Sequence, residues 1–244
     1  MPKFFVEPSK VDGTSIIIDT EDVGHITRVL RMSEGEKITV CDSCGVDYEA
    51  EISEISKNSI ICKILSSQKS DTEPAVKVTL YQALPKASKM EYIIQKTTEL
   101  GVSSVVPVIM SRCVSKINDK KDGMKKAERW RKIAESAAKQ SGRGIIPFVE
   151  EPITFDEAVK RLCNTELAFA PYECEEINTV KSVLKEKPFK EAAFIIGPEG
   201  GFDPAEADKL KNAGIKTVTL GKRILRTETA GEAVVAMIMY ETDM

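Results

Sequence analysis

The 244-residue chain is short of the residues that several common chemistries require. It holds one histidine, His25, and six scattered cysteines: Cys41, Cys44, Cys62, Cys113, Cys163 and Cys174. Cys41-Asp42-Ser43-Cys44 is a lone CxxC, whereas a structural zinc site takes about four nitrogen or sulfur ligands. With one histidine and no second CxxC that set cannot be assembled. The stretch reads as a hairpin turn, and no metal is expected. Reduced cysteines in an intracellular chain pack as small apolar side chains. No apolar run approaches the roughly 18 residues of a membrane-spanning helix, so no membrane partner is expected. Met1-Pro2-Lys3-Phe4-Phe5-Val6-Glu7 lacks the apolar core and cleavage site of a signal peptide. A cytoplasmic enzyme is the resulting expectation. Also missing are the GxGxxG spacing of a dinucleotide fold and the Lys-Ser/Thr ending of a P-loop.

What is present is ordinary in amount and uneven in placement. The chain is 42% hydrophobic and 30% charged, with a net charge of −3. Residues 1–70 carry 8 basic and 12 acidic side chains, a net of −4. Residues 81–147 carry 14 basic and 6 acidic, a net of +8, and residues 148–244 carry 12 and 18, a net of −6. A basic block inside an acidic protein suits a polyanionic partner, and equally suits a solvated lysine-rich helix.

The hydrophobic rhythm changes once along the chain. Residues 1–70 read as a small β-rich domain, with strands predicted at Lys3–Val6, Ser15–Asp19, Lys37–Cys41, Asp47–Ile55 and Ser59–Leu65. One helix, His25–Arg31, interrupts them, and a compact barrel fits this order. Ser66–Pro74 is polar, Ser-rich and closed by proline, as a linker is. Residues 75–244 then alternate strands and helices. That pattern predicts an α/β domain with a mostly parallel sheet covered on both faces. Its predicted strands are Lys77–Leu84, Val102–Met110, Ile145–Val149, Leu167–Ala170, Ala192–Ile196 and Ile215–Leu220. Its predicted helices are Ser88–Leu100, Met124–Ser141, Thr154–Cys163, one near Glu175–Glu186, Asp203–Ala213 and Thr229–Glu241.

Two glycine-marked strand ends near the C-terminus draw the eye to one pocket, because ligands of parallel sheets sit beyond the strands' carboxyl ends. Gly197-Pro198-Glu199-Gly200-Gly201 allows positive φ and close backbone approach to a flat ligand, or merely makes a tight turn. In Leu220–Ala230, apolar Ile224 and Leu225 fall in a loop and predict burial against a ligand or the domain. Thr227 and Thr229 suit the N-cap of the last helix. Arg226, ahead of a helix start that disfavours cations, predicts an anionic partner or a carboxylate. Lys86, Lys89, Arg112, Gln140 and Arg143 occupy loop positions in the basic block, where phosphate contacts would be useful.

Ile196-Gly197-Pro198-Glu199-Gly200-Gly201-Phe202 followed by Leu220-Gly221-x-Arg223-Ile224-Leu225-Arg226-Thr227-Glu228-Thr229-Ala230 resembles the SPOUT class of knotted RNA methyltransferases. Within that class it resembles the ribosomal RNA small subunit methyltransferase E family. His25-x-x-Arg28-Val29-Leu30-Arg31, Gln95-Lys96-x-Thr98-Glu99-Leu100-Gly101-Val102 and Gln140-Ser141-Gly142-Arg143 ahead of Ile146-Pro147 extend the likeness over nearly the whole chain. Ser88 and Lys89 depart from it, standing where Asp or Gly and then Arg are expected.

The resemblance implies a PUA-like β-barrel over residues 1–70 that helps bind RNA. It implies a SPOUT domain over residues 75–244 with a deep trefoil knot, a rare exception to unknotted topology. It further implies S-adenosylmethionine as cofactor, a pocket formed across a homodimer, and methylation of N3 of a uridine in 16S ribosomal RNA, free or in the small ribosomal subunit. Carried onto this chain, the cofactor positions are Ala170, Ile196, Gly197, Pro198, Glu199, Gly200, Gly201, Leu220, Gly221, Ile224, Leu225, Arg226, Thr227, Thr229 and Ala230. Arg226 or Arg143 would stabilise negative charge on the uracil, and Glu199 or Glu228 would take its proton or hold backbone amides. Arg28, Arg31, Lys86, Lys89, Arg112, Gln140 and Arg143 would contact RNA. The competing expectation is a non-catalytic RNA-binding or ribosome assembly factor.

Overall fold

The computed structural model describes residues 3–243. The chain divides into two compact units, one of residues up to Glu73 with Ala138–Ile146, the other of Pro74–Ala137 with the residues from Pro147 on. Ala138–Ile146, which falls inside the stretch expected to form the second domain, groups with the first unit.

In the first unit, β1 (Lys3–Phe5), β2 (Ser15–Ile18), β3 (Lys37–Cys41), β4 (Val46–Ile55) and β5 (Ile60–Lys69) form one sheet ordered β1-β3-β4-β5-β2. β1 is parallel to β3, and the other pairs are antiparallel. A short helical turn, α1 (Asp22–Gly24), passes into a π turn over His25–Val29 where one regular helix was expected. Phe4, Ile16, Ile18, Ile26, Ile38, Val40, Ile52 and Ile60 fill the core. Each fully buried aliphatic side chain there contributes about 1.5–3 kcal/mol.

Two local readings of this unit need restating. The expected linker begins as strand: Ser66, Ser67 and Gln68 pair with Glu49, Tyr48 and Asp47, because ladder bonding tolerates polar side chains on a solvated face. The CxxC lies in the turn from β3 to β4, where the Asp42 carboxylate accepts the Cys44 and Val46 amides at 2.8 and 3.0 Å. Ser43 and Gly45 take positive φ of 61° and 90° there, which tightens the turn. Cys41 is buried and donates to the Gly144 carbonyl at 3.0 Å. Burial pushes its thiol up to about 12, so it is inert packing.

In the second unit, β6 (Lys77–Ala83), β7 (Ser104–Ile109), β8 (Phe148–Val149), β9 (Ile153–Thr154), β10 (Leu167–Pro171), β11 (Glu191–Ile196) and β12 (Lys216–Val218) form one sheet. Its order is β12-β10-β11-β6-β7-β8, with β9 also on β7, and every pair is parallel. Six helices run between and after the strands: α2 (Lys89–Glu99), α3 (Lys120–Ser141), α4 (Phe155–Leu162), α5 (Val180–Leu184), α6 (Pro204–Asn212) and α7 (Thr227–Thr242). Tyr81, Val106, Ala193 and Ile195 pack one face of the sheet against Phe155, Leu162 and Leu210. α2 and α7 pack against each other, and α7 lies on β6 and β11. A sheet covered on both faces explains why β11 reads as an unbroken apolar run.

Caps set the helix boundaries. Asp203 and Glu206 form a reciprocal capping box at α6, and Thr154 accepts the Glu157 amide at α4. The helix expected near Glu175–Glu186 is cut to α5, because Thr179 and Ser182 make a capping box that starts it late. Upstream, the Glu175 carboxylate accepts the Ile177 and Asn178 amides and so holds a loop.

Candidate functional site

The carboxyl ends of β10, β11 and β12 open into a cleft of about 560 Å³. A cavity of this size suits a ligand of a few tens of atoms. Three loops wall it, one after each strand. Of the residues expected to hold a cofactor, Ile196, Gly197, Pro198, Glu199, Gly200, Gly201, Leu220, Gly221, Ile224, Leu225, Arg226, Thr227 and Ala230 line it. Ala170 is buried one residue before the lining Pro171, and Thr229 is exposed and outside the lining. Tyr172 and Glu173 also line the cleft, and sequence reasoning missed them. The strand-end rule already applied to β11 and β12 would have found them had it been applied to β10.

The loop after β11 is built from backbone. The Gly201 amide donates to the Pro198 carbonyl at 2.9 Å, and Gly201 sits at φ 68°. A Cβ on Gly201 would strike the Glu173 carboxylate, and one on Gly197 would lie 3.3 Å from the Phe202 ring. Arg112 braces the loop from outside, donating to the Gly200 carbonyl at 3.0 Å and pairing with Asp203 at 3.3 Å. Its guanidinium is thereby engaged with protein.

Lys89 is engaged in the same way. Its ammonium lies 3.2 Å from Glu199 and 3.1 Å from Glu228, so it joins the loop after β11 to the start of α7. The Lys86 amide donates to Glu199 at 3.0 Å, while the Lys86 side chain is exposed. Burial pushes the Glu199 carboxyl up, but the Lys86 amide, its own amide and the Lys89 ammonium outweigh that and hold it below the usual carboxylate range.

The loop after β12 departs from expectation in two respects. Ile224 is 88% exposed at the rim, where burial was expected, while Leu225 is half-buried. Neither Thr227 nor Thr229 caps α7. The N-cap is Arg226, with extended backbone and no side-chain cap bond. Thr227 is the first helical residue, and its hydroxyl leaves the helix to donate to the Gly197 carbonyl at 2.7 Å. That hydroxyl accepts from the Gln82 side-chain amide at 2.9 Å. Arg223 and Arg226 are exposed on the cleft, and among the described residues neither has a carboxylate partner.

Arg143 is not part of this cleft. It lies in the first unit, is 3% exposed, and gives Nε and a terminal nitrogen to Glu73 at 3.2 and 2.6 Å. A bidentate pair this buried commits the guanidinium to Glu73, whose carboxylate also accepts the Gly144 and Ile145 amides. Gln140 is exposed on α3. Arg28 and Arg31 are exposed in the first unit together with Val29 and Leu30 between them.

Comparisons with known proteins agree with this arrangement. Residues 72–239 match the model of an RNA methyltransferase domain, and residues 18–65 match that of an RNA methyltransferase PUA domain. The chain is 35% identical to the ribosomal RNA small subunit methyltransferase E of Bacillus subtilis, covering 100% of this chain and 98% of the relative. It is 30% identical to the protein of the same name from Synechocystis, over 97% of this chain and 76% of the relative. Among solved structures, the ribosomal RNA small subunit methyltransferase E of Neisseria gonorrhoeae bound to S-adenosyl methionine superposes with a TM-score of 0.86 at 31% identity, covering 99% of this chain and 98% of that one. A Legionella pneumophila protein described as a methyltransferase in complex with the bound cofactor SAM superposes with a TM-score of 0.87 at 30% identity, over 98% and 97% of the two chains. With its PUA domain, its parallel α/β domain and matches along its whole length, the chain belongs to the ribosomal RNA small subunit methyltransferase E family.

Proposed function

We propose that this protein transfers a methyl group from S-adenosylmethionine to N3 of a uridine in 16S ribosomal RNA, as free RNA or in the small ribosomal subunit, in the cytoplasm. The observation that carries the reading is the three-loop cleft, lined by glycine backbone and by exposed Arg223 and Arg226, which have no carboxylate partner among the described residues. The residues fit the donor. Side chains at Gly197 and Gly201 would intrude on the Phe202 ring and the Glu173 carboxylate, so glycine here keeps the loop tight and leaves backbone as the wall it presents to the donor. When bound, S-adenosylmethionine supplies an electrophilic methyl on sulfur.

The chain's own work is then positioning and charge. Uridine N3 gives its proton to solvent water, and the nitrogen attacks as the resulting anion. Arg226 at the mouth of the cleft favours that anion, with Arg223 beside it. Glu199 is a weak proton acceptor, because a carboxylate held below its ordinary range gives up a proton more readily than it takes one. Its place is to fix the loop through Lys86 and Lys89.

RNA contact falls to exposed groups. Arg28 and Arg31 of the PUA domain flank exposed Val29 and Leu30, a pattern suited to phosphates and an unstacked base. On α3, Lys121, Lys125 and Lys132 are exposed along one side, and Lys86 and Gln140 are exposed as well. The family's trefoil knot is part of this reading, as is a homodimer. α7 is apolar over most of its surface, which suits a helix covered on more than one side. Tyr240 and Met237 on α7 and Tyr92 on α2 are exposed large apolar side chains that a second copy would cover. Mapping of methylated nucleosides after incubating unmodified small-subunit RNA or particles with enzyme and donor tests the proposal.

A further inference from the structure

Gln82 is a polar side chain in the middle of an apolar sheet. It is fully buried on β6, the strand between β11 and β7, opposite Ile196 and Pro107. An amide buried there must be hydrogen-bonded or it destabilises the core. Its nitrogen donates to the Ala83 carbonyl at 3.1 Å and to the Thr227 hydroxyl at 2.9 Å, while its oxygen is buried without a partner among the described residues. The unpaired oxygen is the cost of a side chain whose nitrogen makes two hydrogen bonds.

We propose that Gln82 is a positioning residue for the cleft, fixing through the Thr227 hydroxyl the orientation of the Gly197 peptide. A hydroxyl has one proton. Because the Gln82 amide already donates into the Thr227 oxygen, that proton is directed to the Gly197 carbonyl 2.7 Å away. With the amide turned over, two carbonyl oxygens would compete for one proton, and the chain of bonds would break. The relay ties the first residue of α7 to the first glycine of the loop after β11, thirty positions apart. Two of the cleft's three loops are thus set relative to each other by a side chain that touches neither the cleft nor its solvent. An apolar residue at position 82 would fill the core equally well and leave the Thr227 proton undirected.

The inference rests on the donor-binding reading above, and its test separates the two. Calorimetric titration of full-length protein with S-adenosylmethionine compares the wild-type chain with Gln82→Met, Thr227→Val, the double variant and Thr227→Ser. Each of the first two weakens binding about tenfold, the loss of one buried hydrogen bond. The double variant loses no more than about threefold beyond either single change, because both break one relay. Thr227→Ser, which keeps the hydroxyl, binds within threefold of wild type. Wild-type affinity in the single variants, or losses that multiply in the double, would overturn the relay. A wild-type chain that binds no donor would overturn the donor-binding reading instead. Hydrogen exchange at the amides of residues 199–201, which needs no ligand, then decides the relay by itself. Exchange is faster in Gln82→Met and Thr227→Val than in Thr227→Ser if the relay holds, and equal in all three if it does not.

Discussion

Lys89 and Glu199 form an ion pair of 3.2 Å at the wall of the cleft. A lysine that the sequence offers to RNA phosphate is instead spent on a loop of its own domain, and a carboxylate that it offers as a base is held ionised by the Lys86 amide, its own amide and that lysine together.

Glu199→Gln separates the two roles of the carboxylate. The amide oxygen still accepts the Lys86 amide, so the loop keeps one of its two anchors. Turnover falls by less than about tenfold, whereas removal of a general base costs about 10²–10⁴. Single-turnover methyl transfer measures this, and a loss beyond a hundredfold would return Glu199 to the chemistry.

Arg226→Ala removes positive charge where the uracil anion would form. Loss of one such group costs about 10²–10³ in turnover. Because Arg226 makes no cap bond and no ion pair among the described residues, the melting temperature stays within about 2 °C. Near-normal turnover would take Arg226 out of the mechanism.

Arg143→Ala acts on stability. Removing one partner of a buried pair leaves an uncompensated charge and costs about 3–5 kcal/mol. Denaturant unfolding of the first unit shows the loss, and Arg143→Ala combined with Glu73→Ala recovers part of it.

Acid weakens the second unit through Glu175. The Thr217 hydroxyl, then the Ile177 and Asn178 amides, lower this carboxyl from an ordinary 4.5 to about 2. A depressed folded-state value adds stability above the ordinary range that is lost as pH falls. Melting temperature followed from pH 5 down to pH 2 shows a steeper decline in wild type than in Glu175→Gln, over the interval between 4.5 and about 2. Parallel declines would remove Glu175 as the cause.

The sequence carried the parallel α/β architecture because strand and helix periods alternate over residues 75–244. It carried most of the cleft because Gly197–Gly201 and Leu220–Ala230 are local stretches ending strands that the fold sets side by side. What it hid is pairing at long range. Nothing adjacent to Lys89 announces Glu199 or Glu228, and nothing adjacent to Arg143 announces Glu73, seventy positions away. A cation's role depends on whether a carboxylate meets it, and that is settled only by the fold. Thr227 shows the same limit: beside a helix start its hydroxyl reads as a cap, yet Gly197 lies closer to hand. Ile224, apolar in a loop, reads as buried and stands exposed at the rim.

The central claim is methyl transfer to a ring nitrogen of uridine. Unmodified small-subunit RNA, free and as assembled particles, is incubated with the protein and isotope-labelled S-adenosylmethionine, then digested to nucleosides and analysed by mass spectrometry. Labelled N3-methyluridine, formed about 10²–10³-fold more slowly with Arg226→Ala, is the predicted result. A wild-type reaction that labels no nucleoside in either substrate, or places the methyl on a ribose or a guanine, would contradict it.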